Sequence, residues 1–302
     1  MAGNIASLSH DDLWPRAGDW PSSESINGDL DLALIGIPTA RTSLSPTHAD
    51  ATPAAVREAL RRYSPFAHDP EADLDVLTLA DAGDIRDPDG NEEAATQRVA
   101  DIASRSRLVV ALGGDNAATV PAALGTWGSD LPAAGLITLD AHYDLRDGRS
   151  NGSPVRRLIE AGLDGRRVVQ VGIQDFANSR FYAERARDVG ITVITRDEFG
   201  RRPIDEVMAQ ALEVAGSAGG PIHVDLDVDV CDRSVAPACP ASTPGGIAAH
   251  ELRHAARVVA QHPLVRSLDI TEIDATMDAA DGRTVRLAAL CVLEAAAGLA
   301  LR

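Results

Sequence analysis

The 302-residue sequence contains no lysine, so all 28 of its basic residues are arginine. That absence excludes the phosphate-gripping lysine of a P-loop and any Schiff-base chemistry at a lysine amine. Arginine still offers its planar fork to carboxylates. Cysteine is also scarce. Cys231, Cys239 and Cys291 make neither a C-x-x-C spacing nor an even set, which argues against a secreted disulfide framework and leaves a Cys231–Cys239 pair open. No stretch holds ~18 uninterrupted apolar residues, and the opening MAGNIASLSHDDLWPRAGDW lacks a basic segment followed by an apolar core. Neither a membrane span nor a secretory leader is expected, and the chain reads as cytoplasmic. Positive charge is in deficit, with 45 acidic residues against 28 basic and a net charge of -17. Phosphate backbones and anionic membranes would be repelled, so neither is an expected partner.

What is present is an alternation. Apolar runs at 31–38, 75–85, 107–114, 134–142, 166–174, 191–198, 220–230 and 264–274 each carry Gly, Pro, Asp or Glu within their last three positions. Between them lie Ala- and Leu-rich segments of helical period, such as TPAAVREALRRY, AATQRVADIASR, SRFYAERARDVG, PIDEVMAQALEVAG and AAHELRHAARVVAQ, and a further helix is expected over 121–135. The pattern predicts an α/β fold with a mostly parallel sheet covered by helices on both faces. We read one domain over 1–302, with 1–30 as an N-terminal extension and 86–92 and 230–246 as surface loops. Ligands of such sheets bind beyond the carboxyl ends of the strands.

Two strand ends carry the chemistry. In LDAHYD, Asp140, His142 and Asp144 stand at i, i+2 and i+4, and in HVDLDVDVCD the same period aligns Asp225, Asp227 and Asp229. An extended backbone points each trio to one face. Carboxylates crowded into a buried sheet repel one another unless a cation neutralises them, and hard oxygen donors with one imidazole suit Mn²⁺.

With these residues in view, the chain resembles the ureohydrolase family of arginases, agmatinases and formimidoylglutamases. LGGDNAATVP (112–121), LITLDAHYD (136–144) and DLDVDVCDRSVAPACPASTPG (225–245) appear in the family's order. The resemblance implies a three-layer α/β/α sandwich of the arginase-like fold and a centre of two Mn²⁺ ions per chain, in a chain that is a homo-oligomer. Carried over, Asp140 and Asp227 would bridge the ions, Asp144 would bind one, and His142 and Asp229 the other, with Asp225 supporting them from behind. Asn116 stands where most relatives place a metal-binding His. A neutral amide oxygen is the weaker ligand, so the first site is expected to be weak. Two such cations acidify water toward hydroxide. Asp144 would orient it and move its proton, and Glu272 in LDITEID matches the glutamate that pairs with the substrate's cationic nitrogens.

The segments SNGSPVRR and FANS look most like formimidoylglutamases within the family. Asn151 stands near a position where arginases and agmatinases usually present His, and Ala177 near one where arginases carry an acid. Arg146 and Arg180 can each offer a guanidinium to a substrate carboxylate. The resemblance therefore implies hydrolysis of a linear amidine, N-formimidoyl-L-glutamate to formamide and L-glutamate in histidine degradation. A guanidino hydrolase releasing urea and a metal-poor, non-catalytic family member are the alternatives.

Overall fold

The computed structural model describes residues 11–302. Ten strands form among them: β1 (Leu30–Ile37), β2 (Phe66–His68), β3 (Glu71–Asp73), β4 (Leu79–Asp84), β5 (Ser106–Gly113), β6 (Gly135–Leu139), β7 (Val168–Ile173), β8 (Thr192–Thr195), β9 (Ile222–Asp227) and β10 (Val265–Thr271). All eight runs expected as strands enter one sheet, in the order β4-β1-β5-β10-β9-β6-β7-β8, and every neighbouring pair is parallel. The short antiparallel hairpin β2-β3 was not expected from the sequence; its three-residue strands are too brief to show a period.

The helices are α1 (Thr52–Leu60), α2 (Glu92–Ala103), α3 (Thr119–Trp127), α4 (Pro154–Ala161), α5 (Arg180–Asp188), α6 (Arg196–Phe199), α7 (Ile204–Ala215), α8 (Ala249–Gln261) and α9 (Arg283–Ala300). They sort by face. Leu32, Leu34, Val110, Val224 and Leu226 pack with α1, α7, α8 and α9, whereas Ile35, Ile37, Val109 and Leu136 meet α2, α3 and α4. Alternate residues of one strand thus bury on opposite sides, which is why the strands read as continuous apolar runs. Local signals place the helix starts: Asn91 caps α2 by accepting from the N–H of Ala94, with Glu92 and Glu93 against the positive end of the helix.

Several expectations are corrected. α3 stops at Trp127 rather than running to 135, because Gly128 turns at φ 48° and Pro132 follows in a 3₁₀ segment. The stretch 230–246 is not a surface loop throughout: Cys231, Ala236, Ala238 and Cys239 are fully buried, and Ala238 exchanges hydrogen bonds with Asp274 and Thr284. All three cysteines are free and buried, so Cys231 and Cys239 form no disulfide. Of the expected extension, residues 1–10 lie outside the described residues; in the rest, the N–H of Ala17 donates to the Tyr63 carbonyl just past α1, and the Pro21 carbonyl accepts from Asp81 on the edge strand β4.

Candidate metal centre

The site forms where β5, β6, β9 and β10 end. β5 runs into Gly113-Gly114 because the backbones crowd there: a Cβ on Gly113 would lie 2.7 Å from Thr271 Cγ2, and one on Gly114 1.9 Å from the Thr39 carbonyl oxygen. This close approach delivers Asp115 and Asn116 to the sheet's edge. Neither aspartate trio is carried by a strand alone, contrary to the spacing argument. β6 ends at Leu139, and Asp144 turns back with φ 52°; β9 ends at Asp227, and a 3₁₀ turn over Val228–Val230 brings Asp229 in. Side chains on a straight strand project in parallel, so convergence on one point requires these bends. Glu272 also sits at a left-handed φ of 64°, uncommon for a non-glycine residue and a local strain held by the surrounding structure.

Two groups of ligand-type side chains result, Asp140/His142/Asp229 and Asp140/Asp144/Asp227, with the ligand atoms of each within 4.8 Å of one another. Asp140 belongs to both; Asp227, expected to bridge as well, belongs to the second alone, its Oδ1 accepting from the N–H of Asp229. Asp225 joins neither and does not line the cavity that opens onto the centre; its Oδ1 lies 3.3 Å from the Thr271 hydroxyl oxygen. His142 Nδ1 lies 2.9 Å from Asp229 Oδ2, and Asn178 clamps the loop that carries it, accepting from Tyr143 N and donating to Ala141 O. Asn178 belongs to the FANS segment, where nothing in the local sequence marks it as a clamp on the loop of His142.

The electrostatics are those of a site short of positive charge. At this range two carboxylates repel by about 4 kcal/mol at an effective dielectric of ~20. Burial, then the charge of Asp229, lifts Asp140 to about 6. Burial, then Asp140 for Asp144 and Asp229 for Asp227, pushes those two well above the usual carboxylate range. Burial also opposes the charge of Asp229, but the His142 imidazolium holds that carboxyl below its ordinary value. In return, and against its own burial, His142 is raised to about 12 by Asp229 and Asp140. Asp140 Oδ2 is buried with no hydrogen-bond partner, which is the atom a cation shared by both groups would take. The donor set, hard oxygens and one imidazole, fits Mn²⁺.

Asn116 is buried beside the second group, but with its amide the other way round from the expected ligand. Nδ2 donates to Asp144 Oδ2 at 2.6 Å and Asp227 Oδ2 at 3.1 Å, and Oδ1 accepts from the hydroxyls of Thr119 and Thr271. Facing carboxylates, a donor is attracted where an oxygen would be repelled. A hydroxyl both donates and accepts, so Thr119 and Thr271 satisfy the amide in either orientation.

Behind the centre runs a buried polar row of which Asp225 is one member. His223, Asp225 and Asp227 on β9 stand opposite Ser267, Asp269 and Thr271 on β10. His223 bridges Ser267 Oγ at 2.7 Å and Asp269 Oδ2 at 3.2 Å, and its ring meets that of Trp127 in α3 in a T-shaped contact. The signal was present: charged residues recurring at period two inside otherwise apolar runs.

A cavity of about 330 Å³ opens onto the centre, lined by His142, Asp144, Asp227, Asp229, Glu272, Arg146, Asn151 and Tyr182, among others. Glu272 Oε1 accepts from Asn116 N and from Asn151 Nδ2 at 2.7 Å. Burial, then the charge of Asp115, raises it to about 8, with the two donors pulling the other way. Arg146 crosses over Gly152, where a Cβ would lie 2.8 Å from its Cδ. It is the one arginine in the lining and pairs with no acid among the described residues. Arg180 is exposed at the start of α5, outside that lining.

This fold and donor set define a class. A profile of the arginase family matches residues 30–298, and the chain belongs to that family. Within it, the chain is 32% identical over 283 residues to formimidoylglutamase of Bacillus subtilis, covering 89% of this chain and 87% of that one. The crystal structure of formimidoylglutamase from Bacillus subtilis superposes with a TM-score of 0.91 at 29% identity, over 99% of this chain and 96% of that chain. Trypanosoma cruzi formiminoglutamase crystallised with Mn²⁺ shares the fold, with a TM-score of 0.85 at 24% identity over 96% of this chain and 99% of that chain. No helix among the described residues is long and apolar enough to cross a membrane.

Proposed function

We propose that the protein hydrolyses N-formimidoyl-L-glutamate to formamide and L-glutamate in a manganese-dependent reaction. The observation that carries this reading is one cavity lined at its floor by Asp144, Asp227, Asp229 and His142, on its wall by Glu272 and at its side by an unpaired Arg146. The names and likeness of the formimidoylglutamase relatives support it.

Asp140, His142 and Asp229 would hold one Mn²⁺ ion, and Asp140, Asp144 and Asp227 the other, with Asn116 joining the second set after a half-turn of its amide. Bound there, Mn²⁺ supplies a Lewis acid that makes water nucleophilic near neutral pH. Glu272, ionised, pairs with the amidinium N–H groups and fixes the planar carbon over the floor. Asp144, buried at the cavity floor, takes the proton from the attacking water and passes it to the departing glutamate nitrogen. Arg146 grips a substrate carboxylate, a local attraction needed because a protein of net charge -17 repels a dicarboxylate at long range. The same reading takes 1–302 as one catalytic unit working in the cytoplasm as a homo-oligomer; the free, buried thiols fit a reducing compartment.

The deciding experiment incubates Mn²⁺-loaded protein with formimidoylglutamate, guanidinobutyrate, agmatine and arginine and identifies the products. Formamide and glutamate from the first substrate are expected. Urea from one of the others, without formamide, would replace this reading with a guanidino hydrolase.

A further inference from the structure

At the opposite end of the sheet, where β5 and β10 begin, a cavity of about 620 Å³ is lined by Arg105, Arg107, Arg266, Arg302, Gln261 and Asp29, among others. Four guanidinium groups in one cavity are unexpected in a chain of net charge -17. Arg107 has an acidic partner, Asp31, at 2.7 Å. The other three have none among the described residues, and main-chain carbonyls hold them instead. Arg105 donates to Ser23, Ile26 and Gly28. Arg266 donates to Arg107 O at 3.1 Å and Ser106 O at 2.9 Å, and Arg302 to Ala260 O at 2.6 Å and Val265 O at 2.7 Å.

A carbonyl oxygen accepts a hydrogen bond without cancelling a charge. The guanidiniums are therefore fixed in place and remain cationic. Each has five N–H groups, and in Arg266 and Arg302 the bonds above occupy Nε and Nη2, so both N–H groups of Nη1 are unspent. Burial chiefly, and after it the charges of Arg107 and Arg266, lowers Arg302 to about 10. Asp29 is exposed and makes no ion pair with any of the four. A second anionic group spanning two of these forks would relieve the repulsion and use the unspent donors.

We propose that this cavity is a binding site for a small polyanion, a molecule with two carboxylates or a phosphate group, held between Arg107, Arg266 and Arg302. The site stands apart from the carboxylate centre and does not depend on the function assigned there.

The test is calorimetric titration of the Mn²⁺-loaded full chain with inorganic phosphate and, separately, with succinate, both weak chelators, with metal content checked before and after. Saturable binding of one equivalent per chain is expected, and the stronger probe identifies the phosphate or the carboxylate class. In the double variant Arg266→Gln/Arg302→Gln, affinity should fall about tenfold or more, with Mn²⁺ content unchanged; Arg107→Ala provides a second variant if the first folds poorly. No saturable binding of either probe, or equal binding by wild type and both variants, overturns the proposal. So does a double variant that binds neither probe differently yet sediments as a smaller species, because the cavity then receives an acidic segment of a second copy.

Discussion

Asn116 and Glu272 are tied through the backbone: the N–H of Asn116 donates to Glu272 Oε1 at 2.8 Å, and the N–H of Glu272 donates to Gly114 O at 2.9 Å. Because the first bond leaves from the main chain, replacing the Asn116 side chain should leave Glu272 where it is. Asn116→His is therefore expected to raise Mn²⁺ affinity, imidazole being the stronger donor to a transition metal, with little change in KM. Asn116→Ala should lower that affinity. Calorimetric Mn²⁺ titration of the three proteins checks this; unchanged affinity and stoichiometry in both variants would remove Asn116 from the ligand set.

Asp140 alone belongs to both ligand groups. Asp140→Ala should abolish binding of both ions and all turnover, whereas His142→Ala should spare one ion. Elemental analysis after dialysis reads the two stoichiometries. Full metal content in Asp140→Ala would contradict the shared-ligand assignment.

Asn151→Ala removes a donor that favours ionised Glu272. Without it the glutamate holds its proton to higher pH, so the rising limb of the kcat/KM profile should move upward and the rate near neutrality should fall. A variant whose limb coincides with that of the wild type would show that Asn151 does not govern the charge on Glu272.

Metal-free protein should lose stability as pH rises. Asp115 and Asp140 are raised from 3.8 to about 6, the first by burial against a hydrogen bond from the Ala117 N–H, and Glu272 from 4.5 to about 8. The folded state therefore binds more protons than the unfolded one between those values, and the stability slope with pH is negative. His142, raised from 6.5 to about 12, extends the same sign to higher pH. Mn²⁺ replaces these protons as the counter-charge, so its stabilisation should be larger at pH 8 than at pH 5. Thermal melts with and without Mn²⁺ at the two pH values decide it; a Tm gain that shrinks with pH would refute the linkage.

Arg146→Ala should raise KM for formimidoylglutamate and spare slow turnover of a small amidine that carries no carboxylate. Loss of a charge-assisted contact to a carboxylate costs about 2–3 kcal/mol, roughly thirty- to a hundredfold in affinity. Steady-state kinetics on both substrates tests it, and an unchanged kcat/KM would put Arg146 outside the pocket.

The strands and the metal carboxylates were legible for one reason. A parallel strand buried on both faces is a continuous apolar run, so a charged residue at its end stands out against it. Other features depend on partners far along the chain. The orientation of the Asn116 amide is set by Asp144 and by Asp227, 111 residues away. The choice between Arg146 and Arg180 follows from the path of the loop over Gly152, which no local spacing encodes. The buried stretch 230–246 reads as a loop because Ser, Pro and Gly mark turns whether or not a helix later covers them.

The row of His223 and Asp225 opposite Ser267 and Asp269 also bears on how the chain finds its alignment. Interior strands made only of Val, Ile and Leu would pair almost equally well one position out of step. Here a one-residue slip of β10 against β9 would turn Ser267, Asp269 and Thr271 toward the apolar layer of α8 and α9. The polar row thus acts as a key that admits a single pairing of the two central strands, so replacing it wholesale with aliphatic residues would trade fidelity of assembly for hydrophobicity.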